Sequence, residues 1–121
     1  MTFVLVGLGG LLGAISRYLL SQWINRQWQT SFPLATFLVN LSGSFLLGAL
    51  TAYHLAHYSL SLDNLQLLLG MGYLGAFTTF STFIYETISL SQQQKKIAFL
   101  YSFLSIAGGL LSCWLGFSFF L

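Results

Sequence analysis

Only six residues of 121 carry formal charge, and their spacing divides the chain. Arg26, Asp63, Glu86, Lys95 and Lys96 separate four apolar blocks, and only Arg17 falls inside one. The blocks run over residues 2–24, 32–56, 64–85 and 97–121. Each reaches the ~20 residues that a membrane-crossing helix needs. Charged residues make up 5% of the chain and hydrophobic ones 56%. A soluble domain carries about 25% charge, so the solvent for most of this surface is lipid. Helix is then the expected form, because open strands leave backbone groups unsatisfied in lipid. The expectation is an all-α membrane protein with one four-helix domain over residues 1–121. No length remains for a soluble catalytic domain, and an enzyme is not expected.

Short polar connections are expected at 25–32, 57–63 and 91–96. Pro33 suits the first turn of the second helix, and Asp63 the N-cap of the third. No Lys or Arg precedes the first apolar block, so it is expected to remain as structure rather than serve as a signal peptide. The single cysteine, Cys113, excludes an intramolecular disulfide and fits a small apolar filler. A net charge of +2 is too small and dispersed to suggest nucleic acid. His54 and His57 have a spacing that could bind a metal, although interfacial histidines are the commoner case. Small residues at Gly9 and Gly13, and at Gly108, Ser112 and Gly116, suit close helix approach, within one subunit or between two. Four short helices enclose little, so an oligomer is expected. Connections one and three share a side of the membrane and hold Arg26, Lys95 and Lys96. The positive-inside rule puts that side in the cytoplasm.

Polar residues within the blocks carry the functional signal. Arg17 either snorkels to the interface or lines a water-filled vestibule that attracts anions. Asn40 sits mid-block with Thr36, Gly43 and Ser44 on its face, and its amide donates two hydrogen bonds. Tyr101 and Ser105 form a stripe on helix four, with Gly109 next. Helix three supplies Thr78, Thr79, Ser81 and Thr82. The set is rich in donors and lacks a mid-span carboxylate or histidine. Proton-coupled transport would want such a group, whereas a donor-rich lining suits an anion. Phe80 and Phe83 share a face, and positive ring edges can solvate an anion. Gly70, Gly72 and Gly75 followed by Thr78 and Thr79 weaken helix three. A break there would free carbonyls mid-membrane, tolerated only in a buried or cavity-lining segment. Such carbonyls need donors, water or a cation.

Three stretches together resemble the Fluc (CrcB) family of fluoride channels: GGLLGAISRY at Gly9–Tyr18, ATFLVNLSGSFLLG at Ala35–Gly48 and GAFTTFSTF at Gly75–Phe83. With the length and the four spans, the resemblance covers the whole chain. It implies four helices per subunit, the third broken mid-membrane, in an antiparallel dual-topology homodimer. Such a dimer passively exports fluoride across the cell membrane, lowering intracellular fluoride. On the same resemblance, Asn40 donates to the ion, and the ring edges of Phe80 and Phe83 line its path. Ser81, Thr82, Tyr101 and Ser105 belong to a polar track, Glu86 is a pore-end carboxylate and Arg17 a vestibule residue. The carbonyls of Gly75 and Thr78 from both subunits would hold a structural Na⁺ that is not transported. Two departures stand out. Ala35 occupies a place where the family often has Gly. The one-sided Lys/Arg bias also fits a heterodimer with an oppositely oriented paralogue.

Two other classes compete. A small multidrug-resistance exporter has four spans at this length, but needs a carboxylate in helix one, where this chain has Arg17 and no acid. A non-conducting assembly subunit would use its polar residues only to join helices.

Overall fold

In a computed structural model the chain is helical almost throughout; residues 2–28, 30, 32–57 and 60–120 are described. The segments in order are α1 (Thr2–Gln27), α2 (Leu34–Ala56), α3 (Leu60–Leu65), a π-helix π1 (Gln66–Leu74), α4 (Gly75–Phe77), α5 (Phe80–Gln93) and α6 (Lys95–Phe120). Among the described residues four helical stretches are long and apolar enough to cross a membrane: Thr2–Gln27, Leu34–Ala56, Asp63–Gln93 and Lys95–Phe120. The third of these is the discontinuous one, built from α3, π1, α4 and α5.

The four crossings match the charge spacing, but their ends differ from expectation: α1 runs on to Gln27 and α3 begins at Leu60, both inside expected connections. The third connection shrinks to Gln94, the single non-helical residue between α5 and α6. Glutamine is a good helix former, so α5 continues to Gln93. Gln94 donates its N–H to Leu90 O at 2.6 Å and accepts from Ala98 N at 3.0 Å. Charges therefore mark where the apolar runs stop, not where the helices end. Asp63 is not an N-cap. It lies inside α3, and its Oδ1 meets His54 Nε2 of α2 at 2.7 Å. Pro33 stands one place before α2, where its carbonyl accepts from Phe37 N at 3.2 Å.

Packing follows the small residues. A methyl group at Gly48 of α2 would strike the Cys113 carbonyl of α6, and one at Gly116 would strike the Phe45 carbonyl in return. On the other flank, methyls at Gly9 and Gly13 of α1 would strike the Leu68 and Tyr73 carbonyls of π1. Both small-residue patterns thus serve contacts within the chain, with backbones in direct approach. The innermost cluster, Val39, Leu74 and Phe77, sits where α2 meets the first half of span three, flanked by Leu20, Leu50 and Tyr73. Most other large apolar side chains face outward, as lipid contact requires.

Candidate functional site

The site is built around the break in span three. Thr78 (φ −79°, ψ 156°) and Thr79 (φ −143°, ψ 117°) are extended between α4 and α5. Both ends of a broken helix leave backbone groups unpaired, and these are handled by side chains. Asn40 of α2 grips Thr79 on both sides: its Nδ2 donates to Thr79 O at 3.0 Å, and Thr79 N donates to its Oδ1 at 2.8 Å. The amide acts as a one-residue β-partner. Thr79 caps α5 in turn, its Oγ1 accepting from Thr82 N at 3.3 Å, as N-cap threonines do.

These contacts decide which carbonyls are free. In a continuing helix, Thr79 N would donate to Gly75 O and Thr82 N to Thr78 O. Asn40 Oδ1 takes the first donor and Thr79 Oγ1 the second. Among the described residues, the Gly75 and Thr78 carbonyls therefore have no backbone donor. These are the two carbonyls expected to meet a cation. Gly75 is exposed and Thr78 half-buried on the single chain. Thr78 Oγ1 donates to Leu74 O at 2.9 Å, which leaves the Thr78 carbonyl unclaimed by its own side chain. Hard oxygen donors suit a hard cation, but two from one chain make only part of a shell.

The break also exposes opposite helix ends. The first turn of α5 brings the positive end of its macrodipole, and the end of α4 brings carbonyl oxygens. A cavity of about 260 Å³ lies here, lined by Asn40, Gly43, Ser44, Gly75, Thr78, Thr79 and Phe80 among others. Asn40 spends its Oδ1 and one N–H on Thr79, which leaves one N–H to offer. Phe80 is 74% exposed and Phe83 is buried, with ring centroids 6.0 Å apart. Phe83 also packs on Tyr101 at 5.2 Å.

A second cavity, about 250 Å³, opens between α1, α2 and α5. Arg17, Ser21, Asn25, Thr36, Thr82 and Glu86 lie on its wall. Arg17 is half-buried here, and among the described residues no carboxylate comes within 4 Å of its guanidinium. Thr79 borders both cavities, so the break separates them by one residue.

Behind the break runs a hydroxyl column. The Tyr101 hydroxyl, fully buried, donates to Glu86 Oε1 at 3.3 Å, and Thr36 shares the wall of the second cavity with Glu86. Ser105 lies one turn along α6, and its buried Oγ has no partner among the described residues. Ser81 is exposed on the first turn of α5. The structure thus gathers Asn40, Thr78, Thr79, Phe80 and Gly75 at one cavity, and Arg17, Thr82 and Glu86 at the next. Tyr101, Ser105 and Phe83 stand behind them. In the sequence Thr36 stands only on the polar stripe of Asn40, and its position one turn earlier is the signal for a site role. Phe32, packed edge-on against the Tyr101 ring at 5.4 Å, had no such signal. The two histidines, whose spacing could have bound a metal, have separate partners: His54 meets Asp63, and His57 stacks on Tyr53 at 4.6 Å.

Four apolar crossings, with the third broken at its middle between two cavities, define a multi-pass α-helical membrane protein of the discontinuous-helix kind. A family model described as "CrcB-like protein, Camphor Resistance (CrcB)" matches residues 4–117, and the chain belongs to that family. A protein named fluoride-specific ion channel FluC 2, from Moorella thermoacetica, is 46% identical over 117 residues, covering 96% of this chain and 93% of that one. FluC 1 from Bacillus thuringiensis subsp. konkukian is 45% identical over 119 residues, covering 98% and 86%. FluC 2 from Bacillus cereus is 44% identical over 117 residues, covering 96% and 94%.

Proposed function

We propose that this chain is the subunit of a fluoride-selective channel of the cell membrane that lets F⁻ leave the cell passively. It is a conduit and not an enzyme. One observation carries the reading: the broken third span, held to α2 by Asn40, brings donors and the Phe80 ring edge to one cavity at the middle of the span. Fluoride is small and strongly hydrated, so its path must replace water with donors. The spare Asn40 N–H and the edge of Phe80 are such donors at this cavity; the Ser105 hydroxyl and the Phe83 edge stand behind it, where Tyr101 with Glu86 closes the column. Arg17 draws anions into the adjoining vestibule. The fluoride-specific channels to which the chain is so similar support the same reading.

The functional unit is an antiparallel dual-topology dimer. A second copy, inverted, would add its own Gly75 and Thr78 carbonyls to this pair and complete a shell around a structural Na⁺. When bound, that ion supplies positive charge that joins two like-ended helix breaks. Two numbered relatives, FluC 1 and FluC 2, occur in Moorella thermoacetica. Such a pair supports the alternative in which the inverted partner is a paralogue.

The test is fluoride efflux from liposomes containing the purified protein, with chloride as control. Fluoride release well above that from empty liposomes, with chloride retained, is expected. Equal rates for the two anions, or none above the empty vesicles, overturn the channel.

A further inference from the structure

The first half of span three is tied to α2 at both ends. Asn40 holds Thr79 at one end, and His54 holds Asp63 at the other. The ties do not match in length. Asn40 and His54 are fourteen residues apart on α2, which is about 21 Å of α-helix. Asp63 to Thr79 is sixteen residues; as α-helix to Phe77 and extended chain beyond, it would run about 27 Å. Between the ties lies π1, whose wider turns close each hydrogen bond over one more residue than an α-helix does. A π segment fits more residues into less length, in the direction this mismatch requires. Glycines make room for it: α1 lays Gly9 and Gly13 directly on its backbone.

We infer that His54 and Asp63 are positioning residues, whose contact holds Gln66–Leu74 in π form and so sets where the Gly75 and Thr78 carbonyls stand. With that tie cut, π1 is free to lengthen toward α geometry. Beyond its C-terminal end Thr79 stays pinned by Asn40, so the strain relaxes through α4 and shifts the carbonyl pair. The part of the inference that concerns cation affinity rests on the Na⁺ reading above; the part that concerns π register does not.

The experiment compares wild type with Asp63→Ala, His54→Gln and the exchanged pair His54→Asp/Asp63→His. Two readouts are taken: amide hydrogen exchange over residues 66–77 in detergent, and the Na⁺ concentration giving half-maximal fluoride flux. Asp63→Ala is expected to speed exchange across 66–77 and raise that Na⁺ concentration about tenfold, the size of one lost hydrogen bond to a charged group. His54→Gln, which still reaches Asp63 with a donor, and the exchanged pair are expected to stay within about twofold of wild type. Unchanged exchange over 66–77 in Asp63→Ala overturns the inference. So does faster exchange with an unshifted Na⁺ requirement, since the tie would then be structural only. If wild-type flux ignores Na⁺, the cation reading fails by itself, and the exchange data still decide the π register.

Discussion

At the scale of single residues, Asn40 has two duties. Its amide completes the backbone of Thr79 and keeps one N–H for the cavity. Asn40→Asp retains the acceptor for Thr79 N but loses both donors and adds negative charge. Fluoride flux into or out of liposomes is expected to drop about tenfold or more, with the protein still eluting as a folded species on gel filtration. Phe80 and Phe83 should separate cleanly. Phe80→Ile is expected to leave thermal stability unchanged, because the ring is 74% exposed on the chain. It should cut flux by up to about tenfold through loss of the ring edge. Unaltered flux in both variants would favour the assembly-subunit reading. The polarity of Asn40 was legible in the sequence, but its partner was not. A side chain that binds backbone leaves no complementary residue type to look for.

At the scale of elements, what composition revealed was the number of crossings, because six charges among so many apolar residues leave few places for water. What it concealed was how helices end. The run Gln92–Gln94 reads as a loop by polarity, yet two of its residues are helical by propensity, and propensity decides once the chain has left lipid. Asp63 reads as a cap until α2 supplies His54, a contact no local pattern announces. The weakness of helix three was visible in Gly70, Gly72, Gly75, Thr78 and Thr79. The π form of π1 was not, since it answers to two fixed points on another helix. The glycine contacts yield a direct prediction. Gly116→Ala is expected to destabilise the α2–α6 pair by about 1–3 kcal/mol, read as a lowered unfolding temperature in detergent. Substitution at Gly7, where no atom comes within 4 Å of an added methyl, should cost little.

At the scale of the whole molecule, a chain that frees two carbonyls onto its own surface is chemically unfinished. Dialysing Na⁺ away is expected to abolish fluoride flux, and restoring it to recover the rate; full activity without Na⁺ would remove the cation from the account. Arg26, Lys95 and Lys96 all lie on one side, so orientation can be read directly. A tag at the C-terminus should be accessible from both faces of the membrane if the dimer is built from one chain, and from one face only if a paralogue supplies the inverted half. The grip of Asn40 on Thr79 has a further consequence for how variation is spread along the chain. Because a side chain there meets a peptide unit, the dependence runs one way. A scan of every substitution should find position 40 nearly invariant, while position 79 admits any residue that can still cap α5. No second-site change at 79 can compensate for a loss at 40. Covariation between the two would be silent, even though two hydrogen bonds join them.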